Sequence, residues 1–156
     1  MANAETVDAV ELEARIAASP ETVFDFFVDP DRMIQWMGRS AQLDPRPGGG
    51  FRCDINGESV AAGTYVAVEP PRRVVFTWGW EGEGNVTPPG ASTVEVLLAA
   101  EGDGTHLRLI HHGLPTAESA EKHEHGWRHY LERLRQAGAG EDPGADEFAV
   151  PRSARN

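Results

Sequence analysis

Three aromatic residues, Phe76, Trp78 and Trp80, recur at every second position, and two more tryptophans, Trp36 and Trp127, stand in segments of helical pattern. Side chains two apart on an extended strand point to one face. The first three therefore form a ladder, and the other two come from helices that pack over it. Such a group serves either as plain core or as the wall of an internal cavity. Aromatic walls with few polar groups suit a flat or hydrophobic small molecule. Fully burying one ring contributes ~1.5–3 kcal/mol, so several rings together would hold a ligand at about micromolar level with no ionic anchor.

The titratable residues offer less. His111 alternates with Leu107 and Leu109 and so shares their inward face, whereas His112 points outward. A buried imidazole orients a ligand, acts as a general base near neutral pH, or is a hydrogen-bonded structural residue. His125 and His129 lie four apart on one helix side with His123 offset from them, which reads as a solvated face. No cysteine pair or histidine–glutamate zinc motif accompanies them, so no metal is expected. Cys53, the single cysteine, sits among inward strand positions and reads as a small apolar side chain. Gly48-Gly49-Gly50 lacks the Lys-Ser/Thr of a phosphate loop and leads into a strand, so it reads as a turn. Asp25, Asp29 and Asp31 are explained by helix capping and solvation. No catalytic residue and no cofactor are assigned.

The elements that must carry these residues follow from periodicity. Val10, Leu12, Ala14 and Ile16 alternate as a half-buried strand. Ser19 then serves as N-cap and Pro20 as first residue of a helix whose apolar side is Val23, Phe24, Phe27 and Val28. Asp29-Pro30 stops it, and a second short helix is predicted from Pro30 to Met37. Strands follow at Phe51–Ile55, Val60–Val68, Val74–Trp80, Thr93–Leu98 and Leu107–His112, with hairpin signals at Asn56-Gly57 and Glu101-Gly102-Asp103-Gly104. The last helix runs from about Thr116 to Ala137, with Trp127, Leu131 and Leu134 on one stripe and Tyr130 at its border. An antiparallel sheet needs its apolar face covered, and this is the only long amphipathic helix. The predicted fold is α+β of the helix-grip kind: a curved antiparallel sheet of about six to seven strands around the C-terminal helix, with two short helices after the first strand. One domain is expected over residues 8–137, followed by a loosely ordered tail over 138–156 and preceded by a frayed start over 1–7.

Composition narrows the partners. The 156 residues carry a formal net charge of −11, which repels phosphate backbones and anionic membranes, so neither nucleic acid nor membrane is an expected partner. No apolar run reaches the roughly 18 residues of a membrane span. Met1 to Ala9 shows no basic-then-apolar signal pattern. With one thiol that cannot pair within the chain, the expected location is cytoplasmic.

The stretches SPETVFDFFVDPDRMIQWMG, DPRPGGGFR, VEPPRRVVFTWGW, PPGASTVEVLL and GWRHYLERL, in this order over about residues 8–137, resemble the bacterial relatives of the activator of the heat-shock-protein-90 ATPase. These belong to the START-like, birch-pollen-allergen-like superfamily of polyketide cyclases and lipid carriers. The resemblance implies the helix-grip fold and an interior cavity, and it supplies no catalytic residues. The expected function is binding of a small hydrophobic or aromatic molecule between the sheet and the last helix. The sheet would contribute Phe51, Phe76, Trp78, Trp80 and His111 to that site. The helices would contribute Trp36, Trp127, Tyr130 and Leu131. A cyclase- or hydrolase-like enzyme with His111 as base, and a chaperone-activator-like domain that binds a protein partner or a second copy of itself, stand as alternatives.

Overall fold

The computed structural model describes residues 9–149; the expected frayed start and the final stretch of the expected tail, 150–156, lie outside them. Strand β1 (Val10–Ile16) leads into helices α1 (Pro20–Val28) and α2 (Pro30–Met33). Strands β2 (Ser40–Leu43), β3 (Gly50–Asp54), β4 (Val60–Glu69), β5 (Arg73–Trp78), β6 (Ser92–Glu101) and β7 (Gly104–His112) follow, and helix α3 (Ala117–Gly138) comes last. The seven strands form one antiparallel sheet in the order β1-β7-β6-β5-β4-β3-β2. This is the expected α+β helix-grip architecture.

The helix starts obey their local signals. Ser19 Oγ accepts from the Thr22 N–H at 3.2 Å, with Pro20 as first helical residue. Thr116 Oγ1 does the same for the Ser119 N–H at 3.0 Å and opens α3. Two boundaries differ from the sequence reading. The apolar run to Met37 predicts a longer second helix, but α2 ends at Met33 and the chain turns. The turn delivers both Trp36 and Met37 into the core, and Gly38, at φ 81°, releases the chain into β2. β2 itself has no counterpart in the sequence reading. Four residues of alternating partial exposure at a sheet edge carry too little pattern to be seen.

Curvature has a local cause. The β4–β5 register slips between Tyr65 and Ala67, a bulge that leaves Val66 52% exposed. Beside it a side chain at Gly63 would lie 2.0 Å from the Thr77 carbonyl oxygen, so only glycine permits this approach of the two strands. The sheet bends around α3, whose stripe of Trp127, Leu131 and Leu134 is buried. At the far end of α3, a Cβ on Gly138 would meet Ile16 at 2.4 Å, so its absence lets the helix settle on β1. The core continues through Phe27, Phe51, Tyr65, Phe76, Leu107 and Leu109, all at most 1% exposed. The outer face carries cross-strand pairs such as Arg108–Glu11 at 2.8 Å and Arg73–Glu95 at 2.7 Å.

Leu134 lies at 0% exposure where α3 meets the sheet. Leu134→Ala is expected to destabilise the domain by about 2–5 kcal/mol, through lost transfer energy and a residual cavity. Urea unfolding checks this: a loss below about 1 kcal/mol would mean that the helix contributes little to the core.

Candidate functional site

Between α3 and the β5 end of the sheet lies a cavity of ≈ 730 Å³. Its wall is built by position. Trp78 ends β5, and Trp80 follows after Gly79, where the chain bridges to Ala61 of β4. The loop from Glu81 returns so closely that Thr87 O accepts the Trp80 N–H at 2.8 Å. Trp127 and Tyr130 descend from α3, and Phe148 closes one side from the segment after it. The three indoles meet edge to face or tilted, with Trp78 at 5.5 Å from Trp80 and 5.1 Å from Trp127.

Two imidazoles are held by these rings. The Trp127 Nε1–H donates to His111 Nδ1 at 3.0 Å. His111 Nε2 therefore carries the ring proton and donates to Ser92 Oγ at 2.8 Å, and Ser92 in turn donates to the Trp78 carbonyl at 2.9 Å. The Trp80 Nε1–H donates to His123 Nε2 at 3.0 Å, and the His123 Nδ1–H donates to the Ser119 carbonyl at 2.8 Å. The two rings, 4.9 Å apart, are thus neutral and locked as opposite tautomers. Burial pushes His111 down to about 3, helped by its neighbours His123 and His112. Burial also lowers His123, opposed by its bond to Ser119.

Trp78 stands apart from the other tryptophans. Trp36 donates to the Phe26 carbonyl at 3.0 Å, and Trp80 and Trp127 bond to histidine. The Trp78 Nε1–H is buried without a partner, a condition that costs about 1–3 kcal/mol.

Of the residues expected from sequence, Trp78, Trp80, Trp127 and Tyr130 line the cavity together. The other five do not reach it. Phe51 stacks on Phe76 at 4.4 Å and both sit at or below 1% exposure within the sheet layer. Trp36 packs edge-on against Phe27 at 5.2 Å. Leu131 faces the core, and His111 lies behind the Trp78 and Trp127 rings. Strand alternation fixes a side chain's face but not its depth, which is why these five are core neighbours of the cavity. Cys53 is buried with its thiol toward the Met37 carbonyl, and burial pushes it up to about 12. It has no nucleophilic character there.

Ser119, Thr87, Gly126 and Phe148 also line the cavity and were not singled out from sequence, and so do His123, read there as part of a solvated helix face, and Asn56, read as a hairpin residue. For His123 a signal existed: it lies four residues before Trp127, on the inward stripe, and that is why it is offset from His125 and His129. His129 is not simply solvated. Its Nε2–H donates to Asp146 Oδ1 at 2.8 Å, and its ring lies 4.1 Å from Phe148. Asn56 Nδ2 donates to the Phe148 carbonyl at 3.2 Å, and Arg133 bonds the Gly144 carbonyl at 3.1 Å. These contacts seat residues 144–148 against α3. The Tyr130 hydroxyl and Asp146 Oδ2 are close but stop short of a hydrogen bond. Among the described residues no group of three or more His, Cys, Asp or Glu is placed to hold a metal, and no helix is long and apolar enough to cross a membrane.

A family model described as Activator of Hsp90 ATPase homolog 1-like protein matches residues 17–139. No curated protein matches the chain. Among solved structures, an AHSA1-like protein from Rhizobium etli is 43% identical, covering 95% of this chain and 92% of its own, with a TM-score of 0.71. CalU16 from Micromonospora echinospora is 31% identical, covering 81% and 73%, with a TM-score of 0.66. An HSP90 activator from Plasmodium falciparum shares the fold at 22% identity, covering 86% and 97%, with a TM-score of 0.69.

The His111 environment generates a pH dependence. Its folded pKa of about 3 lies below the unfolded value of 6.5, so between these limits the unfolded chain binds more protons and stability falls as pH falls. The stability is fully present above about pH 6.5, and about 2 kcal/mol of it is lost between pH 7 and pH 5. His111→Gln keeps a donor and an acceptor but does not titrate. It is expected to be less stable at pH 7 and to lose less melting temperature on going to pH 5. Parallel pH profiles for the two proteins would remove His111 as the titrating group.

Proposed function

The chain belongs to the family of Activator of Hsp90 ATPase homolog 1-like proteins, and on that premise we propose that it binds a small hydrophobic or aromatic molecule in the cavity between α3 and the sheet. The observation that carries the reading is the wall of three indoles, Trp78, Trp80 and Trp127, around ≈ 730 Å³ of space, a volume suited to a ligand of several fused rings.

Binding is favoured over catalysis by the state of the histidines. A general base needs a free lone pair within reach of a substrate proton. The lone pair of His111 receives the Trp127 N–H, and that of His123 receives the Trp80 N–H. Both rings hold the wall in place and leave no basic nitrogen for substrate.

Gly126 gives the sharpest support. It lies in the interior of α3, where glycine costs about 1 kcal/mol relative to alanine. It lines the cavity, and a Cβ added there meets no atom within 4 Å. The helix forgoes stability at a lining position where a side chain would extend into open space.

Gly126→Met is expected to fold at least as stably as the parent and to lose most of the tryptophan-fluorescence and melting-temperature response to a panel of fatty acids, flavonoids and polycyclic aromatics. Ligand at a hundred times its dissociation constant should stabilise the parent by about 2.7 kcal/mol. If no member of the panel affects the parent, the cavity reading is withdrawn and the protein-partner reading takes its place.

A further inference from the structure

We propose that the cavity selects a ligand bearing a neutral hydrogen-bond acceptor, and that the Trp78 Nε1–H is the group that reads it. The inference rests on the cavity reading above and adds the chemistry of the ligand's polar atom.

Trp78 is the central ring of the wall, touching both Trp80 and Trp127, and it is the only one of the four tryptophans whose N–H has no partner. The acceptors that surround it are already committed. His111 Nδ1 and His123 Nε2 are taken by Trp127 and Trp80. Ser92 Oγ receives the His111 Nε2–H and spends its own proton on the Trp78 carbonyl. Thr87 and Ser119 hydroxyls share a contact with each other at 3.4 Å. A donor kept unpaired on the wall of a cavity, beside histidine and serine acceptors that are already taken, is matched by an acceptor that the ligand brings. Nε1 itself is buried, and Trp78 is the one wall indole not tied to a histidine, so the acceptor reaches it through a tilt of the Trp78 ring alone.

The acceptor is neutral because the cavity offers no surplus positive charge. Its one lysine, Lys122, faces Glu118 at 3.6 Å, and both stand at the exposed rim. An anionic ligand would bury its charge beside neutral imidazoles, at a high desolvation cost. A flat ring system with a ketone oxygen satisfies the indole donor and the aromatic wall together.

The test compares 9-fluorenone with fluorene, which share one tricyclic skeleton and differ in C=O against CH₂. Fluorene is the more hydrophobic, so apolar burial alone favours it. With the full chain labelled with nitrogen-15, the four indole N–H peaks are followed during each titration. Fluorenone is expected to bind about fivefold more tightly, the effect of one net hydrogen bond. It should also move the Trp78 peak downfield while fluorene does not. Trp78→Phe removes one peak, which assigns it, and abolishes the preference for fluorenone, leaving fluorene the tighter binder. Should that variant not fold, the Trp78 peak is assigned from its contacts to the Phe51 and Trp127 rings, and the comparison in the parent protein decides alone. If both ligands bind but fluorene binds as well or better and the Trp78 peak ignores the ketone, the N–H is served by water and this inference is overturned while the cavity reading stands. If neither ligand moves any indole peak, this inference is overturned and the cavity reading is decided by the broader panel above.

Discussion

Buried between α3 and the sheet, His111 has both ring nitrogens committed, and much of the site's order depends on that commitment. It accepts from the indole of Trp127 on the helix and donates to Ser92 on β6, which donates to the backbone of β5 at Trp78. One imidazole thus connects the helix to three adjacent strands by directional bonds, and the Trp80–His123 bond adds a second such link to α3. Apolar packing alone would permit α3 to rotate or slide at modest cost, whereas a buried chain of satisfied donors and acceptors specifies one seating. Burial keeps His111 neutral, and its bond from Trp127 needs the free lone pair of that form, so the structure is tied to the uncharged ring.

This arrangement separates support from contact. His111 and His123 fix the orientation of Trp127 and Trp80, and those rings face the cavity. The layer of Phe51, Phe76 and Tyr65 behind them is densely packed, with ring centroids 4.4–6.2 Å apart. The space is concentrated at the β5 end of the sheet. There β5 gives way to an irregular bridge at Trp80, and Gly126 removes a side chain from α3. A cavity in an otherwise close-packed domain needs such a local cause, because apolar side chains collapse into any space that they can reach.

The segment after α3 adds one more wall. Its composition is that of a solvated tail, yet residues 144–148 are held by His129, Arg133 and Asn56, and Phe148 is brought against Tyr130 at 5.9 Å. These contacts join positions remote in sequence. They depend on α3 already being in place, because His129 and Arg133 present their side chains on the same helix side one turn apart.

Periodicity determined the elements, since alternation and the 3.6-residue stripe are imposed by backbone geometry and by the need to cover one apolar face. From this came the antiparallel sheet, the burial of His111 and the role of α3 as its cover. Four of the residues that line the cavity, Trp78, Trp80, Trp127 and Tyr130, were legible in the same way. Depth was not legible. Phe76 and Trp78 obey one alternation, yet Phe76 is sealed under Phe51 while Trp78 reaches the cavity. That difference depends on where β5 loses its regular pairing and what crosses above it. The tautomers of His111 and His123, the unpaired N–H of Trp78 and the return of Phe148 all arise from partners distant in sequence. Only the folded chain brings them within hydrogen-bonding or packing distance.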